Sequence, residues 1–227
     1  FLMDNMLIQN NLIKASHELD IPKFIFLGSS CIYPKMAPQP LKEEYLLTGP
    51  LEETNQWYAI AKISGVKLIE ALREQYNRDY VSLMPTNLYG PGDNYDLETS
   101  HVLPAMLRKF HEAKENNHAD VVLWGTGTPK REFLHVDDLA NAVIFALENK
   151  LEESIYNVGS GTEISIAGLA ELIQEITCHK GNIVWDQTKP DGTKRKLMDS
   201  SKIIKLGWNS EITLNQGALE LYSKIVK

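Results

Sequence analysis

Cysteine is scarce in this 227-residue chain: its two thiols, Cys31 and Cys178, lie far apart. So few cysteines exclude a disulfide scaffold and point to a reducing compartment, the cytoplasm. No apolar run approaches the roughly 20 residues of a membrane-spanning helix, so no membrane partner is expected. An excess of basic charge is missing too. Lys plus Arg number 23 against 30 Asp plus Glu, for a net charge of -7. That surface lacks the counterion release on which nucleic-acid binding depends, so no DNA or RNA partner is expected. His17, His111, His118 and His179 show no metal-ligand spacing, and no metal is expected. Repeats and low-complexity tracts are absent.

What remains is an ordinary globular composition, 43% hydrophobic and 23% charged, with enough length to bury a sizeable core. Leu2, Met3, Met6, Leu7, Leu12, Ile13 and Ala15 recur at helical spacing from the first turn, with no N-cap before them. No basic n-region with a cleavage site marks a signal peptide. The sequence thus reads as starting inside a domain. A short apolar run follows, residues 23–30, of the kind that suits a parallel strand covered on both faces. Residues 34–52 read as a proline-rich loop and 53–77 as a helix with Ile60, Ile63, Val66, Ile69 and Leu72 near one stripe. Strands are expected at 80–84, 121–124, 155–159 and 183–185. Helices are expected at 101–116, 135–149, 165–176 with Ser165 as cap, and from about 214. Residues 85–94 and 125–133 read as irregular loops.

This alternation predicts an α/β fold with a largely parallel sheet. Loops lengthen near residues 85–95 and after Arg131, which fits a dinucleotide-binding sheet with a smaller interleaved domain. Ligands bind such sheets at the carboxyl ends of their strands.

Tyr58 and Lys62 stand at i and i+4 of the 53–77 helix, so ammonium and phenol share a face. A nearby cation favours phenolate, and the pattern predicts a lowered Tyr58 pKa. With nine tyrosines in the chain, one such pair arises about once by chance and alone means little. Ser29 and Ser30 change this, because they end a strand where ligands bind. A serine hydroxyl there can hold the same carbonyl oxygen that a tyrosine protonates.

The Ser29–Tyr33 pattern SSCIY, YAIAK, MPTNLYGPGDN and REFLHVDDLA occur in the order of the extended short-chain dehydrogenase/reductase family, which the chain resembles. Adding LGSSCIYPK, EETNQWYAIAKISG, SHVLPAMLRKFHEA, VVLWGTGTPKREFLHVDDLA and KPDGTKRKL, it resembles the GDP-L-fucose synthase branch along essentially its whole length. The resemblance implies the C-terminal part of a Rossmann-type parallel sheet with a smaller interleaved α/β substrate domain. Residues 1–90 with about 132–160 would form the NADP-binding part, and 91–131 with 161–227 the substrate domain. One departure is large: the family's opening βαβ unit with its Gly-rich phosphate loop is not among these residues. Gly125-Thr126-Gly127 and Gly159-Ser160-Gly161 carry Lys130 and Ile164 where a third glycine belongs. This chain alone is therefore expected to bind NADPH weakly.

The resemblance also implies roles. Tyr58 would protonate the C4 oxygen during hydride transfer from NADPH, with Ser29 beside it and Lys62 holding the nicotinamide ribose. Leu27, Gly28, Ser29, Ser30, Pro85, Thr86, Asn87, Leu88 and His101 would line the cofactor with Tyr58 and Lys62. Epimerisation next to a ketone needs a base on one face of the sugar and an acid on the other. Cys31, near the charge of Lys62, and His101, before an apolar helix whose dipole disfavours imidazolium, are the expected pair. Lys109, Trp124, Arg131 and Asp191 would hold a GDP-sugar; Asp191, in Pro-Asp-Gly, equally fits turn chemistry alone. His135, as a satisfied interior hydrogen-bonder, and Asp137-Asp138, as a helix start, read as fold-stabilising. Family members pair as homodimers through helices that include the YxxxK helix, so residues 53–77 and the opening helix are the expected contact. A UDP- or dTDP-sugar 4-epimerase or 4,6-dehydratase, and a non-catalytic nucleotide-sugar-binding fragment, stay open as alternatives. Ser30-Cys31 stand where the dehydratases usually carry Asp-Glu after the active-site Ser/Thr, which weakens that option.

Overall fold

The computed structural model describes residues 1–225. They form two compact units: Phe1–Thr86, Asp138–Gly161 and Met198–Asn209 in the first, and Asn87–Asp137, Thr162–Leu197 and the residues from Ser210 onward in the second.

The first unit is a parallel three-stranded sheet. Its strands are β1 (Lys23–Leu27), β2 (Asp79–Pro85) and β6 (Ile155–Val158), in the order β1-β2-β6. Leu27 pairs with Leu83, and Pro85 with Val158, so the carboxyl ends of the three strands lie side by side. Helices α1 (Leu2–Glu18) and α2 (Gln56–Tyr76) pack together. There the buried Gln9 donates from Nε2 to the Ala61 carbonyl and to Ser64 Oγ, both at 2.7 Å. Ala59, Ile63, Val66, Ile69 and Leu72 follow one another by three or four residues along the buried face of α2. They meet Phe26, Tyr80 and Met84 from the strands, and burial of this apolar surface is what drives the layering. Gly65 is essential to that contact, since a Cβ there would stand 2.4 Å from Phe26 Cζ. Helix α2 stops at Asn77, left-handed at φ 53°, whose N–H reaches the Arg73 carbonyl.

The second unit holds β3 (Asn87–Tyr89), β4 (Asp120–Trp124), β5 (Lys130–His135), β7 (Glu163–Ser165), β8 (Asn182–Asp186) and β9 (Arg195–Lys196). Strands β3, β5 and β7 form one sheet with β9 on β5; β4 and β8 form a parallel pair. Helices α3 (Val102–Glu115), α5 (Ile166–Thr177) and α7 (Leu214–Ile225) surround a core of Leu103, Leu107, Phe110, Val121, Phe133, Leu169 and Ile173. Ser165 caps α5 as expected, its Oγ accepting from Gly168 N at 3.0 Å. Helix α4 (Val136–Glu148) belongs to the first unit from Asp138 onward.

Two segments read as loops are strands. Lys130-Arg131-Glu132 disguise β5 with charge, yet Glu132 is fully buried and the strand has β3, β7 and β9 against it. Asn87–Tyr89, between a proline and a glycine, becomes β3 because β5 offers it a parallel partner. Residues 198–209, expected with the last stretch of the chain, lie in the first unit. Met198 bridges Leu41, Asp199 N donates to the Leu41 carbonyl at 2.8 Å, and the short α6 (Ser201–Lys205) follows. His135 is satisfied at Nδ1, which accepts from Asp137 N, while its buried Nε2 has no partner among the described residues. No described helix is long and apolar enough to cross a membrane, and no described His, Cys, Asp or Glu cluster is arranged to hold a metal.

Candidate active site

At the carboxyl end of β1 the ladder runs one residue further, Gly28 N donating to the Leu83 carbonyl at 2.9 Å. A Cβ on Gly28 would stand 2.4 Å from Met84 Sδ, so a side chain there would have to displace the end of the Met84 side chain. Ser29 then caps a 3-10 turn, Ser30–Ile32, with its Oγ accepting from Cys31 N at 3.2 Å. Tyr58 and Lys62 stand in the first two turns of α2. Lys62 Nζ donates to the Leu27 carbonyl at 2.9 Å and lies 5.2 Å above the Phe26 ring and 5.9 Å from the Tyr58 ring centroid. Ser29 hydrogen-bonds the Tyr58 phenol, and Cys31 is close enough to act on it electrostatically. Ser29, Cys31, Tyr58 and Lys62 are therefore brought together at a strand end.

The electrostatics differ from the sequence reading. Burial raises the Tyr58 pKa; the Ser29 hydrogen bond pulls it down and Cys31 pushes it up. Lys62 has turned its ammonium to the Leu27 carbonyl, and burial lowers its own pKa. The phenol thus stays protonated at neutral pH, which suits a proton donor.

The remaining residues expected around the cofactor divide. Leu27, Ser30, Pro85 and Thr86 lie in the first unit at the carboxyl ends of β1 and β2, Thr86 N donating to the Val158 carbonyl at 3.0 Å. Asn87, Leu88 and His101 lie in the second unit. Asn87 Nδ2 is engaged with the Glu132 carbonyl at 2.7 Å, Leu88 pairs with Leu134, and the exposed His101 is the N-cap of α3.

Within the second unit the expected sugar-nucleotide residues form two pairs. Trp124, 65% exposed at the end of β4, has Lys109 Nζ at 5.8 Å and Lys189 Nζ at 5.5 Å from its ring. An exposed indole with two cations within 6 Å suits a ring that bears phosphate. Asp191 Oδ1 accepts from Thr126 N at 2.9 Å and Oδ2 from Thr126 Oγ1 at 2.7 Å. Those bonds, and more weakly the charge of Arg131, hold its pKa below the usual carboxylate value. Gly125, at φ 80°, admits this contact because a Cβ would stand 2.3 Å from Asp191 Oδ1. Arg131 donates to the Lys130 and Thr193 carbonyls; burial lowers its pKa and Asp191 opposes the shift. Sequence reasoning missed Lys189 and Thr126. Lys189 opens the same Pro-Asp-Gly turn, which was the signal available.

Residues 1–159 match the model of the NAD dependent epimerase/dehydratase family. The chain belongs to that family. Among individual members of the epimerase/dehydratase family, GDP-L-fucose synthase 1 of Arabidopsis thaliana is 54% identical over 227 residues, covering 100% of this chain and 70% of that protein. GDP-L-fucose synthase of Escherichia coli K12 is 52% identical over 231 residues, covering 98% of this chain and 72% of the other. A solved structure of a GDP-L-fucose synthetase from Naegleria fowleri bound to NADP is similar over 100% of this chain and 73% of that one, with a TM-score of 0.93 and 29% identity.

Proposed function

We propose that this chain carries the catalytic centre of a GDP-L-fucose synthase. The reaction converts GDP-4-keto-6-deoxy-D-mannose to GDP-L-fucose with NADP(H), by epimerisation at C3 and C5 and then reduction at C4. The observation that carries this reading is the strand-end cluster of Ser29, Cys31, Tyr58 and Lys62, together with identity above one half to an Arabidopsis synthase.

The residues present fit the nicotinamide-ribose end of the cofactor. Lys62 offers a fixed cation with N–H donors beyond the one given to Leu27, and Gly28 keeps the strand end free of a side chain. NADPH, when bound, supplies the hydride to C4. Tyr58 Oη keeps its proton through the neutral range and delivers it to the C4 oxygen, while Ser29 Oγ holds the same oxygen. Lys62 orients the ribose by hydrogen bonding. Before reduction, protons next to the ketone are removed and replaced on the opposite face; Cys31 and His101 are the acid–base pair of this reading. Trp124, Lys109 and Lys189 would stack and pair with the nucleotide, and Arg131 would pair with the diphosphate.

A cytoplasmic homodimer accompanies this reading. Met3, Leu7, Ile8 and Leu12 on α1 are 52–69% exposed, and Trp57 on α2 is 58% exposed. These apolar side chains suit a helical contact between two copies, which sedimentation of a Leu7→Glu variant would test.

The deciding experiment supplies GDP-4-keto-6-deoxymannose and NADPH to the longest natural polypeptide containing these residues. GDP-L-fucose and oxidised cofactor are expected in equal amounts. Unchanged ketone under saturating NADPH would overturn the proposal.

A further inference from the structure

Tyr33 ends the Ser29–Tyr33 pattern and takes no part in the chemistry above, yet it is 4% exposed. Its hydroxyl donates to Asn157 Oδ1 at 2.6 Å. Asn157, fully buried in β6, uses its whole amide: Nδ2 donates to the Leu41 carbonyl at 2.9 Å and to the Asp199 carbonyl at 3.2 Å. Its backbone N–H donates to Glu43 Oε1 at 2.9 Å. Glu43 is itself buried, with Oε2 3.9 Å from Lys202 Nζ, and Lys202 pairs with Glu153 at 2.6 Å. One asparagine thus ties together the Ser29–Tyr33 turn, the 41–43 loop, β6 and the segment from Met198. All four lie in the first unit.

The arrangement has one orientation. Turning the Asn157 amide over would aim its oxygen at two backbone carbonyls, with no donor between them. Burial and the neighbouring Glu43 carboxyl push the Tyr33 phenol up, so it remains a neutral donor. Within the turn, Ile32 N reaches the Ser29 carbonyl at 3.2 Å and Cys31 N reaches Ser29 Oγ at 3.2 Å, while Ile32 is buried in the core and the Ser29 side chain bonds Tyr58. Upstream it is held by the end of β1; downstream it is held by Tyr33, two residues past Cys31.

We propose that Tyr33 and Asn157 are positioning residues that hold the Cys31 turn in register for proton transfer, with Glu43 fixing Asn157. The proton-transfer part rests on the function proposed above; the ordering of the turn does not.

Alkylation of each thiol by iodoacetamide, read by mass spectrometry, separates the two. Cys178, exposed after α5 in the second unit, is the internal reference. Tyr80→Phe is the control: it removes another hydroxyl bond of the first unit, from Tyr80 to the Ile21 carbonyl at 3.2 Å. Losing one buried hydrogen bond should open the turn about tenfold more often, so Tyr33→Phe should raise the Cys31 rate about tenfold relative to Cys178. Glu43→Ala should do the same, and Glu43→Gln, which keeps an acceptor for Asn157 N, should restore the wild-type rate. Tyr80→Phe should leave the Cys31 rate unchanged. A wild-type rate at Cys31 in Tyr33→Phe, or an equal rise in Tyr80→Phe, would overturn the proposal; if Tyr33→Phe does not fold, the two Glu43 variants decide alone. Solvent-deuterium incorporation into the sugar should fall with the same variants. If the wild-type protein catalyses no exchange while the alkylation pattern holds, the proposed function fails and the anchoring of the turn stands.

Discussion

Lys62 donates to the carbonyl oxygen of Leu27 at 2.9 Å, across 35 residues of sequence. That bond joins the helix carrying the phenol to the strand end carrying the serine. Burial, the largest influence on the Tyr58 phenol, raises its pKa.

Tyr58 should accordingly titrate above its ordinary value of 10.0. The difference between wild-type and Tyr58→Phe ultraviolet titrations isolates this one phenol among nine. A midpoint above 10.0 is expected, leaving the acid protonated throughout the neutral range. A midpoint below that value would restore control of the phenol by Lys62. In the assembled enzyme, Tyr58→Phe should lower NADPH oxidation by roughly 10²–10⁴-fold.

Cys31→Ser keeps the size of the side chain and removes the softer, more acidic group. Exchange of solvent deuterium into C3 and C5 should fall by about 10²-fold, with reduction at C4 retained. Nuclear magnetic resonance of the product reads both. Wild-type exchange would remove Cys31 from the chemistry.

Gly65→Ala should destabilise the first unit although alanine is the better helix former. A Cβ 2.4 Å from the Phe26 ring forces α2 and β1 apart, at a cost of about 1–3 kcal/mol against roughly 1 kcal/mol of gained helix propensity. Urea unfolding gives the sign. Displacing α2 should also weaken the Lys62–Leu27 bond, so the variant's reductase rate should fall too.

Glu163 on β7 accepts from Arg195 Nε on β9 at 2.6 Å and from Lys130 Nζ on β5 at 3.2 Å. The Arg195 bond above all holds its pKa below 4.5. A carboxylate so depressed stabilises the fold fully above the unfolded value and loses that contribution as pH falls through the folded one. Glu163→Gln should therefore cost about 1 kcal/mol at neutral pH. The difference from wild type should close well below pH 4.5. An equal gap at both pH values would show that charge is not its source.

Much of this was legible because it is local. The YAIAK spacing sets phenol and ammonium on one helical face whatever surrounds them, and the run ending at Ser29 reads as a buried strand because apolar residues continue without alternation. Strand β5 was not legible. Its opening Lys130-Arg131-Glu132 has the polarity of a loop, and only pairing with Ile164 and Arg195, distant in sequence, makes it a strand. The return of Met198–Asn209 to the first unit was hidden for the same reason, since it depends on Leu41 and Asn157.

By itself the sequence determined the alternation of helix and strand, the chemistry available at Ser29, Cys31, Tyr58 and Lys62, and the acidic net charge. Those follow from periodicity, side-chain type and charge, which each residue carries with it. Tertiary structure decided the protonation of Tyr58, the duty of Asp191 toward Thr126, and the burial of Tyr33 against Asn157. Desolvation and long-range hydrogen bonding depend on which distant segments close over a group, and no local pattern records that.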